Sequence, residues 1–141
     1  MLSEQIMKRD VECVSPVDTV EEAARRMRDE KVGFLPVCDQ SKKVLGTITD
    51  RDLVIRVLAS KKPPTTPVDD VMTKEVVSCG PKDDLQRAMQ LMAENQKSRI
   101  MCVDGDGRLV GVISLSDIAQ EEPAGQASEV LRQVSGREVR A

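Results

Sequence analysis

The chain repeats itself. Residues 6–53 lie over residues 71–118 at a constant offset of 65, without a gap. Ten of the 48 aligned pairs are identical: Met7/Met72, Val11/Val76, Pro16/Pro81, Asp18/Asp83, Ala23/Ala88, Met27/Met92, Asp39/Asp104, Gly46/Gly111, Ile48/Ile113 and Asp52/Asp117. Ordinary composition gives about three such matches by chance. Other pairs keep their character, among them Asp10/Glu75, Val20/Leu85, Leu35/Ile100 and Thr49/Ser114. A unit of about 50 residues buries too little surface to stand alone easily. Two copies are therefore expected to pack their sheets and helices into one core.

Each copy reads as β-α-β-β-α. A short strand, Glu12–Val14 or Val76–Cys79, ends at Pro16 or Pro81. A helix follows, with apolar residues at i, i+3, i+4 and i+7: Val20, Ala23, Ala24 and Met27, then Leu85, Ala88, Met89 and Met92. Thr19 with Glu22 fits a capping box, and Asp83 or Asp84 caps the second helix. Two strands joined by a turn come next, Phe34–Cys38 and Val44–Thr49, later Ile100–Val103 and Leu109–Ser114. Their turns, Asp39-Gln-Ser-Lys and Asp104-Gly-Asp-Gly, carry hairpin chemistry. A second helix starts near Asp50 and near Leu115. The fold class is α/β of the α+β kind, with tandem repeats over 1–60 and 71–120. Between them, 61–70 holds Pro63, Pro64 and Pro67 and reads as a stiff connector. The tail, 121–141, reads as a short helix around Ser128–Val134 or a flexible end.

Composition narrows the function. Without His, the usual near-neutral general base and the commonest metal ligand are missing. Phe34 is the single aromatic residue, too few for the stacking platforms of single-stranded nucleic-acid binders. A net charge of -3 argues against a phosphate-backbone partner. There is no run of about 18 apolar residues, and Met1–Asp10 does not read as a leader. A cytoplasmic protein with no membrane and no nucleic-acid partner is expected. Cys13, Cys38, Cys79 and Cys102 form no C-x-x-C pair. Free buried thiols are expected, although spacing does not decide between them and a disulfide. Redox or metal sensing through these cysteines has no support in their spacing.

The ends of the last strands carry the candidate chemistry. Copy one reads Gly46-Thr-Ile-Thr-Asp-Arg-Asp52 and copy two Gly111-Val-Ile-Ser-Leu-Ser-Asp117. A structural reading makes Thr49 and Ser114 helix caps paired with Asp52 and Asp117. A functional reading uses the same atoms. A helix start offers N–H groups and a positive dipole end, and an ionised carboxylate accepts from both hydroxyls of a ribose. Arg51, and in copy two Arg99 with Lys97 nearby, stand where a phosphate could be met. Phe34 occupies the position equivalent to Arg99.

With the doubled β-α-β-β-α pattern, the Gly-x-Ile-[Thr/Ser]-x-x-Asp close of each copy and Gly33-Phe-Leu-Pro-Val37, the chain resembles a CBS domain pair, or Bateman module, over residues 6–119. The resemblance implies a pseudo-twofold disk with two clefts for adenosyl ligands, such as AMP, ADP, ATP or S-adenosylmethionine, and a homodimer. Carried over, the first cleft uses Asp52 for ribose and Thr49 and Arg51 near sugar and phosphate. Val32, Gly33, Phe34 and Leu35, with Cys13, Val14 and Ser15, surround its adenine. The second uses Asp117 and Ser114, with Arg99 toward phosphate. Ser78, Cys79 and Gly80, with Ser98, Arg99, Ile100 and Met101, surround its base. The family usually has Pro where copy two has Met101, and Ser116 stands opposite Arg51, so the clefts are expected to differ in affinity.

The resulting expectation is a non-catalytic regulatory module. It needs no cofactor, takes an adenine nucleotide as its regulatory ligand and signals to a separate, unknown effector protein. The alternative is a constitutive dimerisation or interaction module without a nucleotide. An enzyme is not expected, because no carboxylate, Lys or Cys has a partner to activate it. Asp104-Gly-Asp-Gly107 lacks the remaining ligands of a calcium loop and reads as a hairpin turn. Met27, Met89 and Met92 read as packing, and Arg25–Arg28 as a solvated helix face.

Overall fold

The computed structural model describes residues 1–121 and 126–139, with side chains left aside at 126–128 and 136–139. They form two compact units that do not follow chain order. The first unit is Glu12–Val76; the second combines Met1–Val11 with the chain from Val77 onward.

The first unit holds α1 (Val20–Glu30), β1 (Phe34–Cys38), β2 (Val44–Thr49) and a short α2 (Asp50–Asp52) that runs on as π-helical turns over Leu53–Leu58. The second holds β3 (Ser78–Cys79), α3 (Leu85–Asn95), β4 (Arg99–Val103), β5 (Leu109–Ser114), α4 (Leu115–Glu121) and α5 (Gln126–Val139). Part of the tail expected over 121–141 (residues 122–125, 140 and 141) lies outside the described residues. β1 and β2 pair antiparallel, with Phe34 opposite Thr49. β4 and β5 do the same, with Arg99 opposite Ser114, and β3 adds to β4 in parallel.

The first strand of each copy is shorter than expected. Ser78 and Cys79 pair with Met101 and Cys102. In copy one Glu12–Val14 reduces to a single parallel bridge from Val14 to Val37. There the Val14 N–H donates to the Pro36 carbonyl at 3.0 Å, and the Cys38 N–H to Val14 at 2.9 Å. The next rung would need an N–H at Pro36, which has none. Met101, at the same place in copy two, has one.

α1 and α3, the equivalent helices of the two copies, both start on side-chain caps. Thr19 Oγ1 accepts from the Glu22 N–H at 3.1 Å. Only half of the expected capping box forms, because the Glu22 carboxylate instead accepts from Arg26 Nε at 3.2 Å. The connector completes this helix start. The carbonyls of Thr66 and Pro64 accept from the N–H groups of Val20 and Glu21 at 2.9 and 3.2 Å, relieving first-turn donors that have no intrahelical partner. α3 is capped by Asp84, which accepts from Gln86 N–H at 2.9 Å. Asp83 instead closes the turn at Gly80 (2.8 Å), as Asp18 does at Ser15 (2.9 Å). Thr19→Ala should lower the unfolding free energy by about 1 kcal/mol in a urea titration.

The expectation of one shared core is corrected: the buried apolar residues form two clusters, one per unit. Each unit solves its size problem by taking in the entering segment of the other copy. Met72 is buried in the first cluster and its equivalent, Met7, in the second. Thr47 bridges Thr73 in the first unit, and Val112 bridges Lys8 in the second. α5 adds Val130 and Val134, one turn apart, to the second cluster.

Candidate functional site

The structural reading of both strand ends is realised. Thr49 Oγ1 accepts from the Asp52 N–H at 3.1 Å, while the Thr49 N–H donates to Asp52 Oδ2 at 3.0 Å. Ser114 and Asp117 repeat this at 3.2 and 2.9 Å. Such a reciprocal box satisfies two donors of a helix start at once. It occupies only one oxygen of each carboxylate. Asp52 Oδ1 faces Thr73 Oγ1 at 3.5 Å and Arg56 Nε at 3.8 Å. Asp117 Oδ1 faces Lys8 Nζ at 3.9 Å. These are long contacts, and the two carboxylate side chains keep 11% and 12% of their exposure. Each end therefore presents one oriented anionic acceptor, largely buried and held by its own helix start.

Residues from outside the motif shape both ends. Lys8 and Thr73 are equivalent positions of the repeat, brought in by the exchanged entering segments. Arg56 donates to the carbonyls of Val71 and Met72 at 3.1 and 3.2 Å, fastening that segment beside Asp52. Sequence reading passes over all three. Lys8 and Thr73 share no chemistry that would mark them as a pair, and the approach that gives them meaning is non-local.

The structure gathers part of each predicted set. In the first unit, Gly33 accepts from the Asp50 N–H at 2.9 Å, Phe34 sits opposite Thr49, and Arg51 is exposed beside Asp52. In the second, Ser98 accepts from the Leu115 N–H at 2.9 Å, and Arg99 is exposed opposite Ser114. Ser114 Oγ lies 2.8 Å from Ser116 Oγ. One end thus carries Phe34, Asp50 and Arg51 where the other carries Arg99, Leu115 and Ser116. Val14, Leu35, Cys79, Ile100 and Met101 are each at most 5% exposed, so only their backbone groups can meet a ligand. Cys13 and Ser15 flank the Val14 bridge, and Val32 is on the surface.

Ser78 and Cys79 lie opposite Met101 and Cys102, midway along β4, and Gly80 follows them. With Pro81–Asp83 and Val103–Gly105 they line a depression of about 500 Å³ at the turn end of the second sheet. Arg99 and Val103 are four residues apart, so about 13 Å separates the two ends of β4. The Asp104 turn itself is closed. Asp104 Oδ1 accepts from the N–H groups of Asp106 and Arg108, both at 2.9 Å, and these bonds hold its carboxyl below the usual range. No group of three or more Cys, Asp or Glu among the described residues could hold a metal ion. None of the described helices is long and apolar enough to cross a membrane.

The family model described as CBS domain matches residues 3–59 and again 68–124. The CBS domain-containing protein YhcV of Bacillus subtilis is 38% identical over 122 residues, 86% of this chain and 86% of that protein. A crystal structure of hypoxic response protein I with two coordinated zinc ions superposes with a TM-score of 0.80 at 31% identity, covering 87% of this chain and all of that one. A structure of CBSX2 in complex with AMP gives a TM-score of 0.74 at 26% identity, covering 84% of this chain and 93% of that one. The chain belongs to the CBS domain family and carries two tandem CBS repeats.

Proposed function

We propose that the protein is a non-catalytic regulatory module that binds an adenosyl ligand at its Thr/Ser-x-x-Asp ends and signals to a separate protein. One observation carries this reading. The motif occurs twice, and each time its carboxylate keeps one oxygen outside the capping box, held in place by the other. A diol is the ligand group suited to such an acceptor. Arg51 at one end and Arg99 at the other supply positive charge for a phosphate. AMP bound to CBSX2, a relative in fold and sequence, supports an adenine nucleotide as the ligand.

A dye-based thermal shift with AMP, ADP, ATP and S-adenosylmethionine tests it. A ligand at a hundred times its dissociation constant stabilises the folded state by about 2.7 kcal/mol, so at least one of the four should raise the melting temperature by several degrees. Four flat responses would discard the nucleotide reading. They would favour an interaction module instead, for which the surface already offers Val54, Ile55 and Leu58, 53%, 47% and 73% exposed on one helical turn.

A further inference from the structure

We propose that Cys13 and Cys38 form a reactive dithiol, in which Cys13 attacks small disulfides such as glutathione disulfide and Cys38 resolves the adduct into an intramolecular disulfide. The fold brings together what the sequence keeps 25 positions apart. The bridge between Val14 and Val37 buries both of those side chains in the first core, 2% and 0% exposed. Cys13 precedes one and Cys38 follows the other. Alternation along extended chain turns both cysteines to the opposite face, as diagonal neighbours one step to either side of the bridge. The Cys13 backbone is pinned there, its carbonyl accepting from Arg26 Nη1 at 2.5 Å.

The two thiols are not equivalent. Cys13 is half-buried and Cys38 is 4% exposed. The hydrogen bond from Cys38 pulls the Cys13 thiol down to about 6, against burial; Lys42 and Arg26 help and Glu12 opposes. Cys38 is pushed far up by its bond to Cys13, with burial and Asp39 adding to the effect and Lys42 opposing. Cys13 is thus the accessible thiol, favoured as the thiolate by its surroundings, and Cys38 its buried neighbour, the division of labour between an attacking and a resolving cysteine. The chain contains its own comparison. Cys79 and Cys102 face each other across β3 and β4 with sulfurs 3.5 Å apart, but both lie inside the second core, 5% and 0% exposed.

The exchange balances. The Cys13 thiolate attacks one sulfur of the small disulfide, whose S–S bond breaks as a bond to Cys13 forms; the other half leaves as a thiolate. Cys38 gives up its proton and attacks the Cys13 sulfur, expelling the second half. The protein dithiol loses two electrons and the reagent gains them; the Cys38 proton ends on one released thiol, and the other leaves as a thiolate that takes its proton from water.

The test incubates the folded protein with glutathione disulfide, followed by alkylation, intact mass and peptide mapping. Wild type should lose two of its four thiols as a 13–38 link, with Cys79 and Cys102 alkylated only after unfolding. Cys38→Ser should accumulate a mixed glutathione disulfide at Cys13 instead. In wild type without oxidant, the alkylation rate of Cys13 should fall only as pH drops through about 6, and in Cys38→Ala, which removes the donor, that midpoint should move up. Four free thiols after oxidation, a persistent mixed disulfide in wild type, a 79–102 link formed first, or a wild-type midpoint near the ordinary thiol value would each overturn the proposal.

Discussion

Asp52→Asn and Asp117→Asn should each weaken adenine-nucleotide binding at their own end by tenfold to a hundredfold while leaving the protein folded. The substitution separates two jobs done by one side chain. An Asn can still turn its carbonyl oxygen to the N–H of Thr49 or Ser114 and keep the cap. Its NH2 then replaces the outward acceptor, now facing Arg56 and Thr73 at one end or Lys8 at the other. Loss of a hydrogen bond to a charged group costs roughly 1.5–3 kcal/mol, which converts to about one or two orders of magnitude in affinity. Asp→Ala at either position removes the cap as well, so it should also cost about 1 kcal/mol of stability. Isothermal titration with the ligand found by thermal shift, together with urea unfolding of the same variants, measures both quantities. If both Asn variants bind like wild type, the two strand ends are capping boxes and nothing more.

Local order was legible in the sequence where it depends on neighbours along the chain. The helical stripe from Val20 to Met27 and its copy from Leu85 to Met92 bury the residues that periodicity selects, with Ala24 the exception. The two hairpins and the Thr49 and Ser114 caps follow from turn and cap chemistry within six residues. What the sequence hid depends on distant partners. Nothing near Met7 or Met72 says that each is buried in the unit built by the other copy, so a single core looked natural. The same exchange hid Lys8 and Thr73 from the site. Cys13 and Cys38 are a pair only because a one-residue bridge at Val14 sets the crossing point of two segments. Pro36 and Met101 are a departure between the copies that the sequence shows plainly, and their consequence is backbone chemistry: one N–H more or less decides whether a rung of parallel sheet exists.

The exchanged segments can be challenged directly, and Gly46→Ala should be more damaging than the same change at Gly111 or Gly105. A Cβ at Gly46 would lie 2.4 Å from the Thr73 carbonyl oxygen and 3.3 Å from its carbon. The atoms it meets are backbone, so no rotamer change relieves the clash; the entering segment must move away. That movement strains both hydrogen bonds that hold it, Thr47 N–H to Thr73 at 2.9 Å and Thr73 N–H to Thr47 at 2.8 Å. Overpacking together with a weakened bridge should cost about 2–4 kcal/mol in urea unfolding. At Gly111 the nearest atoms are the Met7 side chain at 2.6 and 2.7 Å, which can swing, with the Lys8 carbonyl behind it at 2.9 Å, so Gly111→Ala should cost less. Gly105→Ala, with nothing within 4 Å, is the control and should stay within about 0.5 kcal/mol of wild type. A Gly46→Ala protein as stable as the control would mean that the Thr47–Thr73 bridge contributes little. If instead the ordering holds, the same variant should also bind the ligand less tightly at the Asp52 end. The segment it displaces carries Thr73 and is fastened by Arg56, the two groups that face the outward oxygen of Asp52.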